Sequence, residues 1–242
     1  MMVSWLFAIV FGLAAAEPGA DHSAAVLAGA PADADVAIYY NVEATAKPAW
    51  DFVRNELSKE PLFKAIPKAS QGLEELMGEI ERPLEELKSA LGLDPFNDVQ
   101  FAAAWLGVRA WDGEDPSDFS LLIAIHGKFP KTLLEKAIAS IAPQVAKTTL
   151  GGVDAWSMGG GGKPELLLAQ LDGVVIGGTR DWVEARIAAK KPSGDQAARM
   201  KKKLASGAVT VLDLVPSRAT RTRLCANVDN VSARELLGGF VR

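Results

Sequence analysis

Between residues 98 and 189, short apolar runs alternate with glycine-rich or acidic turns, and helical patterns interrupt them at two places. Residues 100–111 and 118–127 read as two antiparallel strands joined by the polar turn Asp112-Gly113-Glu114-Asp115-Pro116-Ser117. Leu133, Leu134, Ala137, Ile138 and Ile141 then make the broad apolar face of a helix that Pro130 opens and Pro143 ends. Strands follow at 148–158, 165–171 and 174–178, with Asp172-Gly173 as the strongest hairpin turn in the chain. Thr179 stands where a helix cap belongs, ahead of Asp181, Val183 and Ile187.

Upstream, the β-branched and aromatic run at 35–42 predicts a first strand. Pro48 reads as the first residue of a helix carrying Trp50, Val53 and Leu57 on one stripe. Ser70 caps a further helix with Leu73, Leu76, Met77 and Ile80 on one face. Pro83 starts another segment, stopped by Gly92, with a single kinked helix as the alternative. Downstream, 192–207 is polar and basic, a linker or a short exposed helix, and 208–215 is again strand-like. This order predicts an α+β fold, a largely antiparallel sheet with helices on one face. The run AVTVLDLVPSRAT echoes ADVAIYYNVEAT, so 208–242 reads as a C-terminal strand and tail that begin an incomplete second unit after the domain at 35–191.

The first residues change the picture from fold to address. Val3 to Leu13 is almost wholly apolar, Ala14-Ala15-Ala16 offers an A-x-A cleavage site, and Glu17 begins a polar segment. Residues 1–16 are therefore expected to be a secretory signal cut between Ala16 and Glu17, although no Lys or Arg precedes the apolar run. That run is too short to span a bilayer, which takes roughly 20 residues, so the mature chain is expected to carry no transmembrane span. Residues 17–34, rich in Ala, Gly and Pro, read as a flexible leader. The expected location is the periplasm or the medium.

The 242 residues carry a net charge of −4, which leaves no basic excess to hold a phosphate backbone and argues against nucleic acid as a partner. Cys225 is the single cysteine, so neither an intrachain disulfide nor a cysteine-rich zinc site can form. Three phrases in this frame resemble a class of exported bacterial proteins assigned only to a domain of unknown function. They are APADADVAIYYNV at 30–42, the turn GLDP at 92–95 and DGVVIGGT at 172–179. The likeness spans residues 30–190 and implies an envelope or secreted protein, with no catalytic residues to carry over.

Candidate chemistry is sparse. The run Gly159-Gly160-Gly161-Gly162-Lys163 fails as a phosphate loop, because Ser157 and Pro164 occupy positions that need Gly and Ser or Thr. A hairpin tip explains it. Asp112, Glu114, Asp115 and Asp118 are the candidate oxygen ligands for a metal such as calcium, although they lack the spacing of a calcium-binding helix-loop-helix and the glutamate that ends one. His126 ends an apolar strand without a partner to orient its ring, Ser157 lies outside any G-x-S-x-G turn, and Cys225 has Arg223 nearby but no histidine in sequence reach. The basic run at Lys201, Lys202 and Lys203 reads as a solvated helix face.

No catalytic residue and no cofactor are expected. The leading expectation is an exported, non-enzymatic binding or scaffolding protein of the bacterial envelope, with an unknown envelope protein or an apolar ligand as partner. A periplasmic carrier of lipid or lipoprotein is the second reading, and a metal-assisted hydrolase at the acidic turn the third. A chain ending within a second sheet would leave an edge open, so weak homodimerisation is expected.

Overall fold

The computed structural model describes residues 23–61, 67–112, 115–159, 165–189, 194–205, 208–218 and 220–222. Among the described residues, eight strands form one open antiparallel sheet, in an α+β architecture. They are β1 (Val36–Asn41), β2 (Val99–Asp112), β3 (Asp115–Gly127), β4 (Ala146–Leu150), β5 (Val153–Met158), β6 (Leu166–Leu171), β7 (Val174–Thr179) and β8 (Thr210–Leu214). The sheet order is β4-β5-β6-β7-β3-β2-β1-β8, so β4 and β8 are its edges. The long β2–β3 hairpin at the centre extends close to its tip, Asp112 lying opposite Asp115.

The helices are α1 (Ser23–Leu27), α2 (Val42–Asn55), α3 (Pro67–Leu91), α4 (Pro95–Asp98), α5 (Leu133–Ile141), α6 (Arg180–Ala188) and α7 (Asp195–Ala205). Two of them differ from expectation at proline. α2 begins six residues before Pro48, because the Asn41 side chain accepts the Ala44 amide at 3.0 Å and caps the helix there. α3 runs unbroken through Pro83, the single-helix alternative. The middle of α2 is joined to α4 by the Trp50–Phe96 stack and by Lys47 donating to Asn97 at 2.7 Å.

The segment at 148–158 is two strands, β4 and β5, reversed at Gly151-Gly152. Both glycines sit at positive φ, 57° and 82°, the geometry a two-residue hairpin turn requires.

Three further expectations are corrected by packing. Part of the presumed flexible leader is core: in α1, Val26 and Leu27 are fully buried, and Ala30 and Ala34 follow them inward. Gly29, at φ 63°, ends α1 and leaves room for the backbone of Arg186, which a Cβ there would meet at 3.0 Å. The presumed linker holds α7, whose Ala197 and Met200 enter the same core. β8 pairs with β1, Ile38 opposite Leu212, so the chain's last described strand completes the first sheet instead of starting a second unit. Asp35 fastens this closure. Its carboxylate, on a buried residue, accepts the Val108 amide at 2.7 Å, the Thr220 hydroxyl at 3.0 Å and the Ser217 amide.

Candidate binding surface

Successive side chains of a strand point to opposite faces, and here both faces of the central strands are apolar. One face carries Tyr39, Phe101, Trp105, Leu122, Leu167 and Ile176, which lie with α1, α6 and α7 residues in one continuous core. The other face carries aliphatic rungs that cross the strands. One rung reads Leu212, Ile38, Ala104, Ile123, Gly177, Leu168 and Trp156, and the next reads Leu214, Val36, Leu106 and Leu121. This second face is covered unevenly. Over β5 and β6, Leu134 and Ile138 of α5 pack on Trp156, with Leu168 beside them. Toward β8 the cover ends: Leu106 is 36% exposed, Leu212 53% and Leu214 58%.

The edge itself adds backbone chemistry. Val215 donates its amide to Asp35, and Asn41 donates to Val209, both at 2.8 Å. Pairs of odd-numbered residues therefore exchange the β1–β8 hydrogen bonds. In an antiparallel ladder the intervening residues turn their N–H and C=O groups the other way. Thr210, Leu212 and Leu214 aim theirs outward, along a margin that no further strand pairs with among the described residues.

On the sealed side of this margin lies α7. Arg199 binds Asp213 of β8 through a 2.8 Å contact and holds that carboxyl below its usual range, against the opposing effect of burial. Lys203 adds to the field at Asp213, and Lys201 and Lys202 are exposed on the same helix. Side by side, then, the β8 margin has an aliphatic flank, a line of backbone donors and acceptors, and a basic flank.

Residues singled out in the sequence assemble no catalytic centre among the described residues. Asp112 and Asp115 oppose one another across the β2–β3 hairpin, Asp118 lies beside Ala110, and Glu114 falls outside the described residues. No three His, Cys, Asp or Glu side chains gather around a common point among the described residues. Ser157 donates to Glu165 at 2.7 Å, and Glu165 in turn receives both Nε and a terminal nitrogen of Arg180, so the hydroxyl belongs to a surface ion-pair network. His126 packs against Phe101 with ring centroids 6.3 Å apart. The cleavage residues Ala14, Ala16 and Glu17, the tip 160–164 and Cys225 lie outside the described residues.

Polar groups that the sequence did not flag are structural. Burial alone would raise the Asp181 carboxyl, yet hydrogen bonds from Arg109, Thr179 and Ser120 and from the Trp182 amide hold it down at about 2. Arg186 is buried, donates to the Ala25 carbonyl at 2.6 Å, and so closes the last turn of α1; burial pushes its guanidinium below its ordinary value. A cleft of about 290 Å³ between α2, α3 and α4 is lined by Lys47, Trp50, Arg54, Glu81, Lys88 and Asp94. Its opposite charges pair across it, Arg54 with Glu81 at 3.5 Å and Lys88 with Asp94 at 3.7 Å. It is a seam between helices.

Fold and surface together define an α+β protein built on one open antiparallel sheet, with the open end of one face at β8. No helix among the described residues is long and apolar enough to cross a membrane. No protein-family model matches the chain, and no curated protein or solved structure matches it.

Proposed function

We propose that this chain is an exported, non-enzymatic binding protein of the bacterial cell envelope, and that its partner is another protein held at the β8 end of the open sheet face. The observation that carries the reading is the contrast in cover: aliphatic rungs run from Ile123 and Leu121 to the edge, and over this end of the face Leu106, Leu212 and Leu214 are left in solvent. An antiparallel sheet that simply faces water alternates apolar with polar side chains. A contiguous aliphatic patch ending at a free strand margin is what an interaction site looks like. Export rests on the apolar start and its Ala14-Ala15-Ala16 cleavage pattern, and the resemblance to exported bacterial proteins agrees with it.

The test is site-specific photo-crosslinking in the native envelope, with the crosslinker at Leu106 on the open face and at Glu184 on α6 as control. A discrete protein adduct from position 106 and none from 184 is the expected result. Equal labelling from both positions, or none from 106, overturns the reading.

One observation favours a second reading, carriage of an apolar ligand. The rung through Ile38, Ala104 and Ile123 continues aliphatic into the sheet, with Gly177 leaving a bare step beside Leu168. Native mass spectrometry of protein taken from its own envelope separates the two: a bound lipid favours carriage, and a bound polypeptide favours the first reading.

A further inference from the structure

We infer that β8 is an acceptor edge for an added strand, and that the strand it takes belongs to a partner protein and alternates apolar with acidic residues. This rests on the binding reading above and names the chemistry of the partner.

Three observations converge on the same margin. Thr210, Leu212 and Leu214 point their backbone donors and acceptors outward, and a lipid or other apolar ligand has nothing to pair with them, whereas an extended polypeptide pairs with all of them. Leu212 and Leu214 stand on one face of that margin, so an incoming strand places every second side chain against them. The residues between those fall on the opposite face, beside α7, where Arg199 is already paired with Asp213 and the exposed Lys201 and Lys202, with Lys203, leave a positive excess. In a chain of net charge −4 this is a local reversal of sign, and acidic side chains complement it.

A second copy of the chain fits poorly. Pairing two β8 strands about a twofold axis sets them about 4.8 Å apart. Each strand carries its own α7 on the same face, so the pairing would set the exposed lysines of the two helices on one side of the joined sheet, where like charges repel. A strand that carries acidic side chains meets no such obstacle.

The experiment uses the full chain and three synthetic peptides: one alternating valine with glutamate, one alternating valine with lysine, and the first with proline at its centre. Binding is read by fluorescence anisotropy, and the site by amide hydrogen exchange. The expected result is that the valine–glutamate peptide binds and slows exchange at Thr210, Leu212 and Leu214. The lysine and proline peptides bind at least about tenfold more weakly. Leu212→Ser with Leu214→Ser, at exposed positions that leave the core intact, removes binding, and Lys201→Glu with Lys202→Glu inverts the preference between the charged peptides.

Slow exchange at those amides in the protein alone means the edge is already occupied and overturns the inference. So does equal binding of the two charged peptides, or a sedimentation dimer that the double serine variant dissolves. If crosslinking from Leu106 still captures its partner in the double serine variant while no peptide binds, the edge inference falls and the binding function stands. If both fail, the function falls with it.

Discussion

Leu122 and Ile123 are neighbours in β3, equally apolar, and they live in different surroundings. Leu122 is fully buried in the core closed by α1, α6 and α7. Ile123 faces the other way, on the rung that leads through Ala104 and Ile38 to Leu212, and is only partly buried. The difference separates two uses of hydrophobicity in one sheet. On one face apolar area holds the fold together, and on the other it remains available to something else.

The most forceful way to break this comparison is to truncate both side chains. Leu122→Ala leaves a cavity in a closed core and is expected to cost about 2–5 kcal/mol in urea denaturation. Ile123→Ala should cost less than half of that, because solvent already reaches the site. Equal losses would mean the two faces are equally sealed.

Next is the pair of adjacent glycines in β7. A Cβ at Gly178 would meet the Leu121 carbonyl oxygen at 2.0 Å, a backbone atom that cannot step aside. At Gly177, on the open face, the first obstacle is the end of the Leu168 side chain at 2.7 Å, which can rotate away. Gly178→Ala should lower stability by about 1–3 kcal/mol, and Gly177→Ala by a small fraction of that, read as shifts in thermal midpoint. A reversed order would refute the assignment of faces.

Asp35→Ala tests the closure between the N-terminal strand and the segment after β8. It strands the Val108 and Ser217 amides and the Thr220 hydroxyl, and should cost about 1–3 kcal/mol. Amide exchange in β8 should accelerate more than exchange in β6; a uniform change would show that the carboxylate is not specific to this junction.

The smallest effect is electrostatic. Asp181 titrates at about 2 in the fold, against an ordinary value near 3.9 in the unfolded chain. Its contribution is therefore fully present above pH ~4 and is lost as pH falls toward 2. The Arg109–Asp181 pair is half in solvent, so screening keeps its worth below about 1 kcal/mol. Arg109→Met should lower the neutral plateau of the stability–pH curve by up to about 1 kcal/mol and shrink the fall between pH ~4 and ~2 by the same amount, converging with the parent protein at the acid end. An unaltered acid limb would remove the role assigned to Arg109.

Much of the fold was legible because its signals are local. Asp172-Gly173 marked a hairpin, Asp35 to Val42 a strand, and the stripe of Leu133, Leu134 and Ile138 a helix, each from residues that touch within a few positions. What was misread depended on distant partners. Gly151-Gly152 looked like part of a strand until β5 folded back on β4. The Ala-rich leader looked mobile because its small apolar side chains matter only where α6 and α7 close over them. The basic run after residue 192 hid Ala197 and Met200, whose spacing carries weight only once Val211 lies beneath the helix.

The binding surface shows the same division most sharply. The runs FAAAWLGV and SLLIAI are apolar at both odd and even positions, so the sequence by itself determined that two apolar faces exist and which residues share each one. Strand pleating is a local, two-residue rule and settles that much. Which face would be sealed was decided only by the tertiary structure, because α1, α6 and α7 come from opposite ends of the chain and meet on one side of the sheet. Among the described residues no helix covers the other side at β8, and that non-local fact leaves Leu212 and Leu214 exposed beside the sheet's last strand.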